Sequence, residues 1–286
     1  MFRFWDQIER SGLVRCECVH YNGQQSGEQS AICLQEGCNT DIASGGRPPS
    51  MTDISVILPT YNERENIVPL IWRVLQALSH YQVEIIVVDD DSPDGTWQEV
   101  AALAENDPRV CLIHRTQERG LTTAIATGIA QARGKWVAWM DCDLSMPPED
   151  LPRLAQALQS GADMAVGSRY LPGGGDVGHS RMALAFSRII NWSASLLLDR
   201  RLTDYTSGFI MARREVFERI ALRGDYGEYC IDLLYRALRT GFRVVEVPYV
   251  CVPRRAGESK TATSLSGFFR RGWKYVVTVL RLRLGL

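Results

Sequence analysis

Asp141 and Asp143 are the residues from which chemistry is most readily built. They sit in the stretch Trp139-Met140-Asp141-Cys142-Asp143-Leu144-Ser145-Met146-Pro147-Pro148. The run before them, Lys135-Trp136-Val137-Ala138-Trp139-Met140, is short and apolar, follows a helical segment, and reads as a central parallel strand. The two carboxylates then leave the strand at its carboxyl end, where open α/β sheets bind ligands. Side chains alternate along an extended chain, so Asp141 and Asp143 should face one way and Cys142 the other. Two carboxylates on one face repel unless a cation stands between them and something anionic. Mg²⁺ on a substrate diphosphate is the natural occupant, since that ion is bound by one or two carboxylates plus phosphate oxygens. The competing reading is a pair of solvated turn aspartates before a Pro-Pro helix start.

The elements needed to position this pair follow from Asp53 onward. Ile54 to Leu58 is a β-branched run stopped by Pro59, and Asn62 with Glu65 resembles a capping box for a helix through Ile67, Leu70, Ile71, Val74 and Leu78. Glu84 to Val88 is a second strand ending in Asp89-Asp90-Asp91, and Thr96 with Glu99 is expected to cap the next helix. A strand at 110–114, a helix at 121–132, the strand carrying the aspartates, a helix at 149–158 and a strand at 163–167 follow. Strands alternating with helices at this spacing predict a doubly wound, mostly parallel α/β sheet with helices on both faces. Further on, Ser207-Gly208-Phe209 begins another strand, a helix from Cys230 to Leu238 carries Asp232 at i, i+4 from Arg236, and 242–247 is a further strand.

The chain has 286 residues with 45% hydrophobic content, enough for one large domain with extensions. Its net charge of −1 gives no reason to expect nucleic acid. From Val250 to Leu286, however, eight Lys/Arg face a single acid, Glu258, which points to an anionic partner there. Residues 1–50 lack periodicity and read as a loosely ordered extension; Cys16, Cys18, Cys33 and Cys38 match no strong zinc template. The body of the protein is expected over 51–261 and a basic amphipathic helix over 262–286. In that helix Phe268, Phe269, Gly272, Val276, Val279 and Leu280 fall on one side, with Arg270, Arg271, Lys274 and Arg281 on the other. It reads as a helix lying on anionic lipid; the alternative is a helix packed across the sheet. No run of eighteen uncharged apolar residues and no secretory signal occurs, so the expected location is peripheral, on the cytoplasmic face of a membrane.

Five motifs occur in order: Pro59-Thr60-Tyr61-Asn62-Glu63, Val88-Asp89-Asp90-Asp91-Ser92-Pro93-Asp94-Gly95-Thr96, Asp141-Cys142-Asp143-Leu144-Ser145, Gly167-Ser168-Arg169-Tyr170 and Gly257-Glu258-Ser259-Lys260. Together they resemble family-2 glycosyltransferases, most of all the dolichyl-phosphate or polyprenyl-phosphate mannose synthases. The resemblance implies a GT-A fold and transfer of mannose from GDP-mannose, with Mg²⁺ or Mn²⁺, to a dolichyl or polyprenyl phosphate with inversion. It implies that Pro59, Tyr61, Glu63, Val88, Asp90, Asp141, Cys142, Asp143, Arg254 and Lys260 bind the nucleotide-sugar. It places the metal on Asp143, Ser145 and Asp141, relatives having Gln or Ser at the place of Ser145. Arg169, Arg181 and Ser187 would meet the acceptor phosphate, and Asp143, Arg254, Lys260 and Arg169 would carry catalysis. A membrane surface is an expected partner, and a membrane-anchoring subunit fits the same scheme. The rival readings are a polyprenyl-phosphate glucose synthase using UDP-glucose and a non-catalytic sugar-nucleotide-binding subunit.

Overall fold

The computed structural model describes residues 52–255 and 265–285. The extension expected over 1–50, its cysteines and Lys260 lie outside the described residues. Seven strands form the main sheet: β1 (Ile54–Thr60), β2 (Val83–Asp89), β3 (Val110–His114), β4 (Trp136–Trp139), β5 (Met164–Ser168), β7 (Ile210–Arg213) and β8 (Val244–Pro248). Their order is β3-β2-β1-β4-β7-β5-β8, and every pairing is parallel except those of β7, which runs antiparallel to both β4 and β5. A small parallel pair joins β6 (Gly175–Asp176) to β9 (Val250–Cys251).

Alternation along the strands decides which helices cover which face. Ile54, Val56 and Leu58 of β1 enter one core with α1 (Arg64–Ala77), α2 (Thr96–Ala104) and α4 (Leu151–Gln159). Ile57 points to the opposite face, which is shared by α3 (Leu121–Gln131), α5 (Arg181–Leu197), α6 (Arg214–Arg219) and α7 (Tyr229–Thr240). The last helix, α8 (Leu265–Leu284), packs on α5 and α7 and inserts Val279 into this second core. Both faces are therefore covered, which is why the parallel strands read as continuous apolar runs.

Both capping boxes expected from the sequence are absent, for one reason. The turn after β1 is held by the turn after β2: Asn62 N–H donates to Ser92 Oγ at 2.9 Å and Glu63 N–H to Thr96 Oγ1 at 2.9 Å. Glu63 is thus the N-cap of α1 without a side-chain cap, and Asn62 takes a left-handed φ of 55°. Thr96 is the first residue of α2 rather than its cap; Gly95 is the N-cap at φ 91°, where a side chain would be strained. Glu99 turns instead to Arg64, with Oε1 at 2.9 Å from Nη2.

Candidate active site at the strand ends

β1 lies between β2 and β4, and the direction of strand progression reverses there, so a crevice opens outside their carboxyl ends. Register sets what lines it: Pro59 lies opposite Val88 and Thr60 opposite Asp89, while Ile57 pairs with Trp139 just before the aspartates. The three consecutive acids at the end of β2 divide the work. Asp89 is fully buried and accepts hydrogen bonds from Thr60 Oγ1 (2.9 Å), Ser92 N–H (2.8 Å) and Ser92 Oγ (2.6 Å), pinning the two turns together. Asp90 takes the Arg115 guanidinium, with Nε at 2.8 Å, and the Gly120 N–H at 2.7 Å. Asp91 faces His114 Nε2 at 3.0 Å and Arg119 Nη2 at 3.4 Å.

Arg119 also lies over the Tyr61 ring, 5.4 Å from its centroid. Tyr61 and Asp90 therefore sit in one mouth, with Glu63 buried behind them and hydrogen-bonded by Asn66 Nδ2 at 2.8 Å. Val88 faces the second core, leaving its backbone at the crevice. Sequence reasoning passed over Arg115 and Arg119; the two cations in the loop after β3 were the available signal.

At the end of β4 the expected alternation holds for Cys142. Its thiol points back into the first core and donates to the Pro59 carbonyl at 3.3 Å. Asp143 is buried, its Oδ1 accepts the Ser145 N–H at 2.9 Å, and its Oδ2 lies 3.0 Å from Arg254 Nη2. Leu144 between them has φ 63° although it is neither glycine nor asparagine, a strain held by its burial in the first core. The segment carrying Arg254 is fastened to the same turn: Val252 N–H donates to the Ser145 carbonyl (2.9 Å) and Arg255 N–H to that of Asp143 (3.3 Å). Burial pushes the Asp141 carboxyl up to about 6; the charges of Asp143 and Glu63 add to the rise, and Arg254 and Arg169 oppose it. Crowded carboxylates of this kind favour a cation between them.

Of the residues expected at the acceptor phosphate, Arg169 and Ser187 share one hydrogen-bond network through Thr206 and Asn191. Arg169 is held within the protein: Nε and Nη2 meet the fully buried Asp204 at 2.8 and 2.9 Å, Nη2 donates to Thr206 Oγ1 at 2.8 Å, and Nη1 lies 3.6 Å from Asp176. Ser187 Oγ accepts from the Tyr170 hydroxyl at 2.7 Å. Arg181 opens α5 and is exposed, sharing a helix face with the exposed Arg188 rather than with Ser187. Asp232 is paired along its helix with Arg236 Nε at 2.7 Å. Asp204 gave no sequence signal because it lies in an irregular turn before β7.

α5 and α8 enclose an apolar groove of ≈ 390 Å³ lined by Phe186, Ile189, Leu197, Trp273, Val276 and Leu280. Val276, Val279 and Leu280 of α8 all line this groove; Val279 is buried and Tyr275 packs against the second core, while Val276 and Leu280 stay exposed. The side chains of 265–271 lie outside the described part. Trp192 (67%) and Trp273 (65%) are the most exposed aromatic residues beside the groove. Among the described residues no helix is long and apolar enough to cross a membrane.

Comparison with known proteins agrees with this geometry. Residues 55–221 match the model of glycosyl transferase family 2. The polyprenol monophosphomannose synthase of Mycolicibacterium smegmatis is 44% identical over 237 residues, covering 80% of this chain and 88% of that protein. The dolichol-phosphate mannosyltransferase of Pyrococcus furiosus is 40% identical over 209 residues, 72% of this chain but only 58% of that longer protein. The undecaprenyl-phosphate mannosyltransferase of Micrococcus luteus is 36% identical over 249 residues, 82% of this chain and 99% of that protein. In three dimensions, glucosyl-3-phosphoglycerate synthase from Mycobacterium tuberculosis superposes with a TM-score of 0.62 at 21% identity, over 82% of this chain and 81% of that one, which establishes the shared GT-A fold. With the family model covering more than half the sequence and the aspartate pair at the carboxyl edge of its sheet, the chain belongs to glycosyl transferase family 2.

Proposed function

We propose that the chain transfers mannose from GDP-mannose to a dolichyl or polyprenyl phosphate, with inversion at the sugar. The observation that carries this reading is the convergence of Asp141, Asp143 and Arg254 at one strand end in a chain whose relatives, at 36–44% identity, are named for mannosyl transfer to polyprenyl phosphates. A phosphate oxygen of the lipid attacks C1 of mannose, the bond from C1 to the diphosphate oxygen breaks, and GDP leaves with that electron pair. The second phosphate pKa is near 6, so the nucleophile is already ionised and needs no strong base.

A divalent metal fits the residues present. Asp141 and Asp143 offer carboxylate oxygens and Ser145 a hydroxyl; burial, and then the charge of Asp143, raise the Asp141 carboxyl, so a cation between the two would be favoured. Mg²⁺ or Mn²⁺ held there supplies charge stabilisation for the departing diphosphate. The protein's own part is to hold Asp143 through the Ser145 N–H and to keep the Arg254 guanidinium beside it, a fixed fork for phosphate oxygens. Lys260, outside the described residues, is assigned the same electrostatic role. Tyr61 offers a flat face to the base, and Glu63 and Asp90 supply acceptors toward the nucleoside. Arg169, Arg181 and Ser187 are assigned to the acceptor side, Arg169 by exchanging part of its Asp204 pairing.

The exposed apolar side chains of α5 and α8 are the surface on which the lipid acceptor is met, peripherally and at the membrane, with or without an anchoring subunit. Purified protein with radiolabelled GDP-mannose or UDP-glucose, Mn²⁺ and polyprenyl phosphate in vesicles tests the reading. Mannolipid from GDP-mannose is the expected product. Glucolipid from UDP-glucose would move the assignment to the rival donor, and no lipid product from either would end it.

A further inference from the structure

A second group of ligand-type side chains meets on the small sheet, away from the aspartate pair. β6 and β9 pair in parallel with Asp176 opposite Cys251, so a carboxylate and a thiol stand as cross-strand neighbours. Asp176 also opens a tight turn, its Oδ1 accepting the N–H groups of Gly178 and His179 at 3.2 Å each. That turn brings the His179 ring back over the carboxylate, with Nδ1 3.0 Å from both Oδ1 and Oδ2. One donor atom from each of Asp176, His179 and Cys251 lies within 4.8 Å of the others.

The chemistry of this set differs from that at Asp141 and Asp143. An oxygen, an imidazole nitrogen and a sulfur suit a borderline-soft ion such as Zn²⁺, whereas Mg²⁺ prefers oxygen alone. Asp176 and Cys251 are sheltered, while His179 is about half exposed at 47% of its side chain, so a fourth position opens to water. The sulfur is little engaged otherwise: among the described residues its one hydrogen bond is a long 3.9 Å contact to the Val252 carbonyl. Arg169 Nη1, 3.6 Å from Asp176 Oδ2, is a cation that opposes metal entry. Its guanidinium is mainly committed to Asp204, so it acts here as an outer partner that steadies the carboxylate.

We propose that Asp176, His179 and Cys251 bind one Zn²⁺-type transition-metal ion, which fastens the β6/β9 ribbon. On binding, the Cys251 thiol releases its proton to solvent and the sulfur becomes a thiolate ligand; no electron changes hands. The ribbon's position gives the site its purpose. From Cys251 the chain runs directly to Val252, which grips the Ser145 carbonyl, and to Arg254 at Asp143. A metal at Cys251 thus acts by positioning the segment that delivers Arg254. The site stands on its own donor atoms, whatever sugar and lipid the enzyme uses.

The test is spectroscopic. The full-length chain carrying Cys16→Ser, Cys18→Ser, Cys33→Ser and Cys38→Ser is stripped with chelator and titrated with Co²⁺. Expected are one equivalent bound, a sulfur-to-cobalt charge-transfer band in the near ultraviolet, and bleaching of that band by Zn²⁺. Cys251→Ser should abolish the band. Asp176→Asn and His179→Ala should weaken Zn²⁺ by at least the roughly 10–100-fold that loss of an outer-shell partner costs. His179 lies on an exposed turn, so His179→Ala decides the matter should Cys251→Ser fail to fold. Zn²⁺ should also raise the melting temperature of the parent and not of His179→Ala. The proposal is overturned if the parent shows no charge-transfer band, or if band and affinity persist in both Cys251→Ser and His179→Ala.

Discussion

Arg254 Nη2 lies 3.0 Å from Asp143 Oδ2, so the guanidinium occupies one oxygen of the carboxylate assigned to the metal. On the proposed assignment, metal and arginine would compete for Asp143 until a diphosphate occupied Arg254. Arg254→Ala is expected to tighten Mn²⁺ binding to the free enzyme while lowering kcat by roughly 10²–10³-fold, the usual cost of losing a preorganised charge partner. Mn²⁺ titration by electron paramagnetic resonance beside steady-state kinetics checks both halves. A kcat loss with weaker Mn²⁺ binding would contradict the competition.

Asp141 makes stability depend on pH with a definite sign. Its carboxyl sits at about 6 in the folded protein against 3.8 ordinarily. Between those values the folded state holds a proton that the unfolded chain has lost, so the stabilising contribution is complete below about 4 and gone above about 6. The metal-free protein should lose stability as pH rises through this window. Asp141→Asn should flatten the profile, be more stable than wild type at pH 7, and be inactive. Urea midpoints across the window measure this; a parallel slope in the variant would remove Asp141 as its source.

Trp139 Nε1–H donates to the Tyr229 hydroxyl at 2.8 Å directly behind the aspartate turn. Burial pushes that hydroxyl well above the ordinary phenol range, so it stays a neutral hydrogen-bonding group. Tyr229→Phe leaves a buried indole N–H without its acceptor and should cost about 1–3 kcal/mol. Denaturant unfolding measures the loss, and KM for the donor should be unchanged.

Exposed tryptophans on α5 and α8 should carry the contact with lipid. Trp192→Ser combined with Trp273→Ser is expected to reduce flotation with anionic vesicles several-fold and to raise KM for a long-chain acceptor. Turnover of a short, water-soluble acceptor should be little altered. Equal losses with both acceptors would assign these residues to folding.

The alternation of strands and helices was readable because each β-branched run is covered on both faces, and the boundaries of β3 (Val110–His114) coincide with the apolar run itself. The antiparallel insertion of β7 was not readable: a short buried strand looks the same in either direction, and only its pairing with Trp136–Trp139 fixes it. Capping failed at Asn62 because Ser92, thirty positions on, takes its N–H, and at Thr96 because its hydroxyl accepts the distant Glu63 N–H while Asp94, two residues before it, takes its own N–H. The aspartate pair was legible from spacing and run-up. The partner of Arg169 was not, since nothing local announces that Asp204 will be buried beside it.

Leu144 leaves its position no comfortable occupant. A left-handed φ of 63° disfavours any branched or bulky residue by about 1–2 kcal/mol, yet its side chain fills the first core. Glycine there would relax the backbone and leave a hole; any larger apolar residue would do the reverse. The acidic tip is thus wedged into shape from behind by grease, and a search for hyperactive or hyperstable variants should find codon 144 resistant in both directions.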